Sequence, residues 1–151
     1  MRKVFAALAV AVLTQASAAA AQQKDVMAVL HQFVDGLNKG DIKSALAACA
    51  DQASIIDEFA PYEWHGAGAC TTWANAFDAD SKKNGITDGV VTIGKPTHVD
   101  VTGDQAYVVT PVTYGFKQKG KPMKETASKL IVSLHKSAAG WRITAWAWAK
   151  N

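Results

Sequence analysis

Apolar side chains crowd the last third of the chain in three consecutive runs, QAYVVTPVTYGFKQK (105–119), PMKETASKLIVSLHK (122–136) and WRITAWAWAK (141–150). Each run is rich in β-branched and aromatic residues, the composition of strands. Lys119-Gly120-Lys121 and Ser137-Ala138-Ala139-Gly140 are connections of hairpin length, so the pattern predicts an antiparallel meander. In the third run a period of two sends Trp141, Ile143, Ala145 and Ala147 one way and Arg142, Thr144, Trp146 and Trp148 the other. A sheet apolar on both faces needs two covers. N-terminal helices can supply one, and a second copy of the chain is the natural candidate for the other.

Upstream the period changes. Val26, Leu30, Phe33, Val34 and Leu37 recur at helical spacing and predict an amphipathic helix over 24–38. Gly40 suits its left-handed C-terminal cap, and Asp41 can accept from the free amides of a second helix, 41–49, expected to bury Ile42, Ala45, Leu46 and Cys49. ASIIDEF (53–59) reads as a strand with Asp57 set inside an apolar run; Ala60-Pro61 turns the chain, and Glu63-Trp64-His65 returns it. Gly66-Ala67-Gly68 leads into a third helix, 69–83, with Cys70, Trp73, Ala74 and Phe77 on its inner face, and Asn84-Gly85 stops it. A further strand, 90–101, is interrupted by Gly94 and Pro96, which predicts a bulge or an edge position.

The first residues alter the meaning of the composition. Arg2 and Lys3, an apolar run over 4–13 and small residues up to Ala21 read as a secretory signal, residues 1–21, with Gln22 as the new N-terminus. The run is well short of the roughly 20 residues a bilayer core demands. Removing 21 of the 151 residues leaves 130, residues 22–151, the length of one domain. Two of the 16 Lys and Arg and none of the 13 Asp and Glu lie in the leader, so the remainder carries 14 against 13 and is close to neutral. The basic balance of the whole chain is therefore poor support for a nucleic-acid partner, or for a membrane partner once the leader is removed. A periplasmic or secreted location would be oxidising, and there the two cysteines, Cys49 and Cys70, are expected to form a disulfide, since the intervening strand and return bring them near each other. Two packed thiols are the alternative. Two cysteines and four scattered histidines make no metal-ligand cluster.

LNKGD (37–41), ASIIDEF (53–59), EWHGAGA (63–69) and GWRITAWAWA (140–149), in this order, resemble the nuclear transport factor 2-like, or SnoaL-like, superfamily over essentially the whole mature chain. The resemblance implies an α+β fold: a cone-shaped, curved antiparallel sheet with three N-terminal helices enclosing an apolar pocket. It also implies a homodimer through the outer sheet face. Ketosteroid isomerases belong to this superfamily, and Asp57 falls where their catalytic aspartate lies on the first strand. A carboxylate facing an apolar cavity has its charged form disfavoured, which suits it to proton abstraction. The other isomerase groups are missing: Phe33 stands in place of the oxyanion-binding tyrosine, and the strand that should carry a protonated aspartic acid reads Lys129-Leu130-Ile131-Val132. Steroid isomerase activity is accordingly disfavoured.

The resemblance makes a small hydrophobic molecule the expected partner, with no cofactor. The candidate ligand-binding residues are Phe33, Tyr62, Trp64, His65, Trp73, Tyr114, Trp146 and Trp148, with Asp57 as the candidate catalytic group. Each has a plainer reading. Asp57 at a strand end can cap a neighbouring amide or pair with a lysine, His65 suits a turn, and each tryptophan suits core packing. No nucleophile elbow, Walker loop or HExxH occurs. Three functions stay open at this point: a cofactor-free enzyme using Asp57, a non-catalytic binder of a hydrophobic molecule, and a structural homodimer.

Overall fold

The structure, a computed structural model, describes residues 4–151, with side chains from residue 19 onward. The expected leader therefore lies almost wholly outside the described side chains. Three helices, α1 (Val4–Lys39), α2 (Ile42–Ala47) and α3 (Ala69–Asn84), accompany seven strands: β1 (Cys49–Ile56), β2 (Glu63–Ala67), β3 (Ile86–Ile93), β4 (His98–Thr102), β5 (Gln105–Gln118), β6 (Lys121–Ser137) and β7 (Gly140–Ala149). Among the described residues no helix is long and apolar enough to cross a membrane.

The meander forms as the sequence predicts, with β5, β6 and β7 paired antiparallel. The sheet order is β2-β1-β7-β6-β5-β3, with β4 also on β5. The sheet is mixed rather than wholly antiparallel, because β1 runs parallel to β7. The single strand expected over 90–101 is two strands, β3 and β4, that pair with successive stretches of β5. Gly94 and Pro96 lie in the break, where the Gly94 amide donates to Pro111 O and the Thr110 hydroxyl donates to Gly94 O, holding the connection against β5.

The face assignment of β7 fails for a physical reason. Ser133 pairs with Ala145, but Leu134 pairs with Ile143, so Thr144 is an extra residue in the ladder. This bulge resets the alternation. Trp141, Ile143, Trp146 and Trp148 consequently share the inner face with Leu130, Val132 and Leu134, while Ala145 and Ala147 face outward with Ile131 and Ser133. Similar shifts between Val112 and Tyr114 and between Thr87 and Val90 bend the sheet further.

α1 lays Val26, Leu30, Phe33 and Val34, all buried, into this concave face. Asn38 fixes its end: the side-chain amide donates to Val91 O and accepts from Val91 N, both at 2.8 Å, as a neighbouring strand would. α2 ends at Ala47 and not at Cys49, which opens β1; Asp41 caps it by accepting from Ser44 N at 3.0 Å. Ala45 is fully buried against Gly36, where an added Cβ would stand 2.7 Å from Ala45 N, but Ile42 is 44 % exposed rather than buried.

Cys49 and Cys70 are joined as a disulfide, Cα–Cα 6.6 Å, which ties the start of β1 to the first turn of α3. Closing a loop of 21 residues removes freedom from the unfolded chain. Replacing both cysteines by serine is expected to cost roughly 3 kcal/mol, a fall of about 10 °C in Tm. Thermal denaturation with and without reductant measures it, and an unchanged Tm would show that the crosslink holds nothing.

Candidate functional site

The inner face is filled at one end and open at the other. Where α1 crosses, Phe33 packs against Trp73 and Trp146 at ring-centroid distances of 5.9 and 6.0 Å, and Trp146 stands edge-on to Trp73 at 4.8 Å. Beyond the helix the long hairpin of β5 and β6 continues, with α3 and the β1–β2 turn above it. A cavity of about 360 Å³ remains there, walled by Phe59, Phe77, Tyr114, Phe116, Met123 and Trp148. A neighbouring hollow of about 260 Å³ shares Phe77 and Tyr114 and reaches Trp73 and Leu37. Gly89 makes room for Tyr114, since a Cβ there would lie 2.7 Å from its hydroxyl.

Asp57 enters this cavity from the turn that follows β1. The strand ends at Ile56, one residue short of it, and the turn is closed by Asp57 N donating to Tyr62 O at 3.0 Å. One carboxylate oxygen of Asp57 accepts from Glu58 N and the other from Trp73 Nε1, each at 2.8 Å. The capping reading of this residue and the pocket reading thus describe the same side chain. Burial pushes its carboxyl above the ordinary aspartate range; the hydrogen bonds from Trp73 and Glu58 pull it back only in part, and the charge of Glu125 adds to the rise.

Glu125 comes from the opposite wall. Between Ser128, opposite Val112, and Glu125, opposite Tyr114, the two residues Thr126 and Ala127 of β6 face the single Thr113 of β5, so β6 carries one extra residue. Ala127 adopts φ +63°, a conformation unusual for a residue with a Cβ. The bulge turns Glu125 inward, where it accepts from Trp148 Nε1 at 2.7 Å and from the fully buried Ser128 hydroxyl. Lys150 Nζ bridges Glu58 at 2.7 Å and Glu125 at 3.4 Å. Burial presses the Glu125 carboxyl upward, but Ser128, Trp148 and Lys150 outweigh it and hold it below the usual glutamate range. Glu58 is raised by burial despite Lys150, with the Glu125 charge beside it. Burial and the three acids raise the Tyr114 phenol, keeping it a hydrogen-bond donor.

The structure sorts the sequence candidates. Asp57, Tyr114 and Trp148 line the cavity; Trp73 lines its neighbour and orients Asp57. Phe33, Trp64 and Trp146 are core residues, and Trp64 packs on Phe59 at 5.0 Å. Tyr62 is 60 % exposed and His65 is exposed, both directed away from the cavity walls. Sequence reasoning missed Glu58, Glu125 and Lys150. Glu58 adjoins Asp57 and was within reach, but Glu125 faces inward only because of the bulge, and nothing local marks Lys150 as its partner.

Chemically, the arrangement offers a desolvated carboxylate with neutral donors only, two carboxylates that share Lys150 and a neutral phenol around an aromatic hollow. The raised Asp57 has a consequence for stability. Its native state holds a proton that the unfolded chain releases near pH ~3.9, so stability is lost as pH rises from there through the higher native value. Asp57→Asn removes this loss. The Tm of the variant relative to the parent is expected to climb between pH 3.5 and 7, read by calorimetry; a flat or falling difference would contradict the burial of this charge.

The SnoaL-like domain family model matches residues 26–147. No curated protein matches the chain in sequence. Several solved structures share the fold. A nuclear transport factor 2-like superfamily protein of Salmonella enterica serovar Typhimurium LT2 superposes with TM-score 0.73 at 13% identity, covering 87% of this chain and 92% of that one. A ketosteroid isomerase-like protein of Erwinia carotovora atroseptica gives 0.67 at 19%, covering 85% and 95%. The S. rosetta CaMKII hub gives 0.69 at 17%, with the same coverages of 85% and 95%. Identities this low speak for the fold alone.

Proposed function

Starting from a chain that belongs to the SnoaL-like domain family, we propose that its cavity binds a small hydrophobic molecule and that Asp57 transfers a proton to or from it without a cofactor. The observation that carries this reading is the half-buried Asp57 carboxylate, held by Trp73 and an amide on the wall of an aromatic cavity, with no Lys or Arg paired to it among the described residues. A carboxylate so placed has a raised proton affinity, and an apolar ligand beside it would exclude water from the transfer. Tyr114, neutral, is placed to donate to charge that develops on the ligand. The proposal includes export: the disulfide suits an oxidising compartment, and residues 1–21 have the order of a cleaved signal.

Native mass spectrometry of the protein purified from the producing cell tests binding and export together. The expected spectrum shows a chain beginning at Gln22 with a bound small molecule. Given that molecule, Asp57→Asn is expected to remain folded and to bind measurably while turnover falls at least ~100-fold. Full turnover by the variant would remove Asp57 from the chemistry.

A homodimer is the second part of the reading. On the outer sheet face Ile56 is 58 % and Tyr107 44 % exposed, and Ser54, Ile56, Ile131, Ala145 and Ala147 line a shallow groove of about 160 Å³. Such a face suits a second copy of itself. Sedimentation is expected to give twice the chain mass, and Ile56→Asp to shift it toward the monomer; a monomeric parent protein would leave this face without that role.

A further inference from the structure

The ionisable groups around the main cavity are unequal in sign. Asp57, Glu58, Asp80 and Glu125 line it together with one cation, Lys150. That ammonium is engaged by Glu58 and Glu125. Asp57 is held by an indole and an amide, and Asp80 by the side-chain amide of Asn84 at 3.0 Å. Among the described residues neither of these two has a Lys or Arg partner. No other lysine lines the cavity among the described residues: Lys82 pairs with Asp78 and Lys117 with Asp88, and Lys119, Lys121 and Lys124 of the β5–β6 hairpin are not among its walls.

The walls between the carboxylates are aromatic. Phe77, Tyr114, Phe116 and Trp148 form a continuous set, with Tyr114 4.8 Å from Phe116, 6.4 Å from Trp148 and 6.5 Å from Phe77. Ring faces carry negative potential and attract cations when water is displaced. Glu58 and Glu125 share Lys150, Asp57 adjoins Glu58 in the chain and Asp80 comes from α3, and among the described residues no three acids, histidines or cysteines converge as metal ligands. The charge that fits is therefore dispersed and carried on an organic body. Lys150 shows the geometry from within the protein: an ammonium on an alkyl stem, seated on the carboxylates at the cavity wall.

We propose that the cavity selects an organic cation, a one- or two-ring aromatic molecule bearing an ammonium group, with its ring among Phe77, Tyr114 and Trp148 and its ammonium toward Asp57. The inference rests on the small-molecule reading of the same cavity and specifies its ligand class. An ammonium placed there satisfies the carboxylate that burial leaves without a cation. A carboxylate ligand meets like charge, and a neutral ligand leaves Asp57 desolvated and unpaired.

Three probes of the same ring and nearly the same size separate the possibilities: 2-phenylethylamine, 2-phenylethanol and phenylacetate, titrated into the full chain at pH 7 and low salt by calorimetry, with tryptophan emission as a second readout. The amine is expected to bind about tenfold more tightly than the alcohol, with phenylacetate weakest. Asp57→Asn is expected to bring the amine down to the alcohol's affinity. If the alcohol or the acid binds as tightly as the amine, the cation preference is wrong and the small-molecule reading stands. If none of the three binds, both are overturned.

Discussion

The arrangement depends on covering a long curved hairpin with helices too few to cover all of it. β5 and β6, of 14 and 17 residues, outrun the other strands, and their inner face is apolar along most of its length. α1 and α2 seal one end, where Val26, Leu30 and Phe33 meet Val108, Val132, Leu134 and Ile143 with almost no exposed surface. At the other end only α3 and the β1–β2 turn approach. The cavity is what the unequal cover leaves, and bulges in β3, β6 and β7 supply the curvature that keeps it from collapsing flat.

The polar groups of the cavity are tolerable because each is held from behind. Asp57 leans on Trp73, Glu125 on Ser128 and Trp148, Glu58 on Lys150. The supporting partners come from α3, β6, β7 and the residue after β7, and β7 lies beside β1 in the sheet although most of the domain separates the two in sequence. A buried carboxylate with such partners keeps one orientation, which is what either binding or proton transfer requires.

Much of the fold was legible in the sequence because it is periodic. The spacing of Val26, Leu30, Phe33 and Val34 encodes a one-sided helix, and GK and SAAG connections encode the meander. The resemblance pointed to Asp57, and the reversal of the chain between Ala53 and His65 put Cys49 near Cys70. What stayed hidden is aperiodic. An inserted Thr144 reverses the faces of Trp146 and Trp148 without changing the composition of β7, and Ala127 in a left-handed conformation turns Glu125 inward although alanine carries no turn signal. Lys150 belongs to the site through a contact with Glu58 that spans most of the domain, and no local pattern reports such a pair. Tyr62 and His65, candidates that followed from the resemblance, are exposed on a turn and on the edge strand β2 and do not line the cavity.

The tryptophans divide into chemically distinct sets. Trp73 and Trp148 donate their indole N–H to the carboxylates of Asp57 and Glu125, whereas the buried N–H groups of Trp141 and Trp146 have no acceptor among the described residues. A proton on an indole nitrogen is deshielded by a charged acceptor and shielded by its absence. In a nitrogen-15 correlation spectrum the five side-chain N–H signals of this protein therefore fall into separate groups, and the two from Trp73 and Trp148 act as built-in gauges of the opposite walls of the cavity. Each would move when its own carboxylate gains a proton or a partner, so the acids of the site are individually observable without any label attached to them.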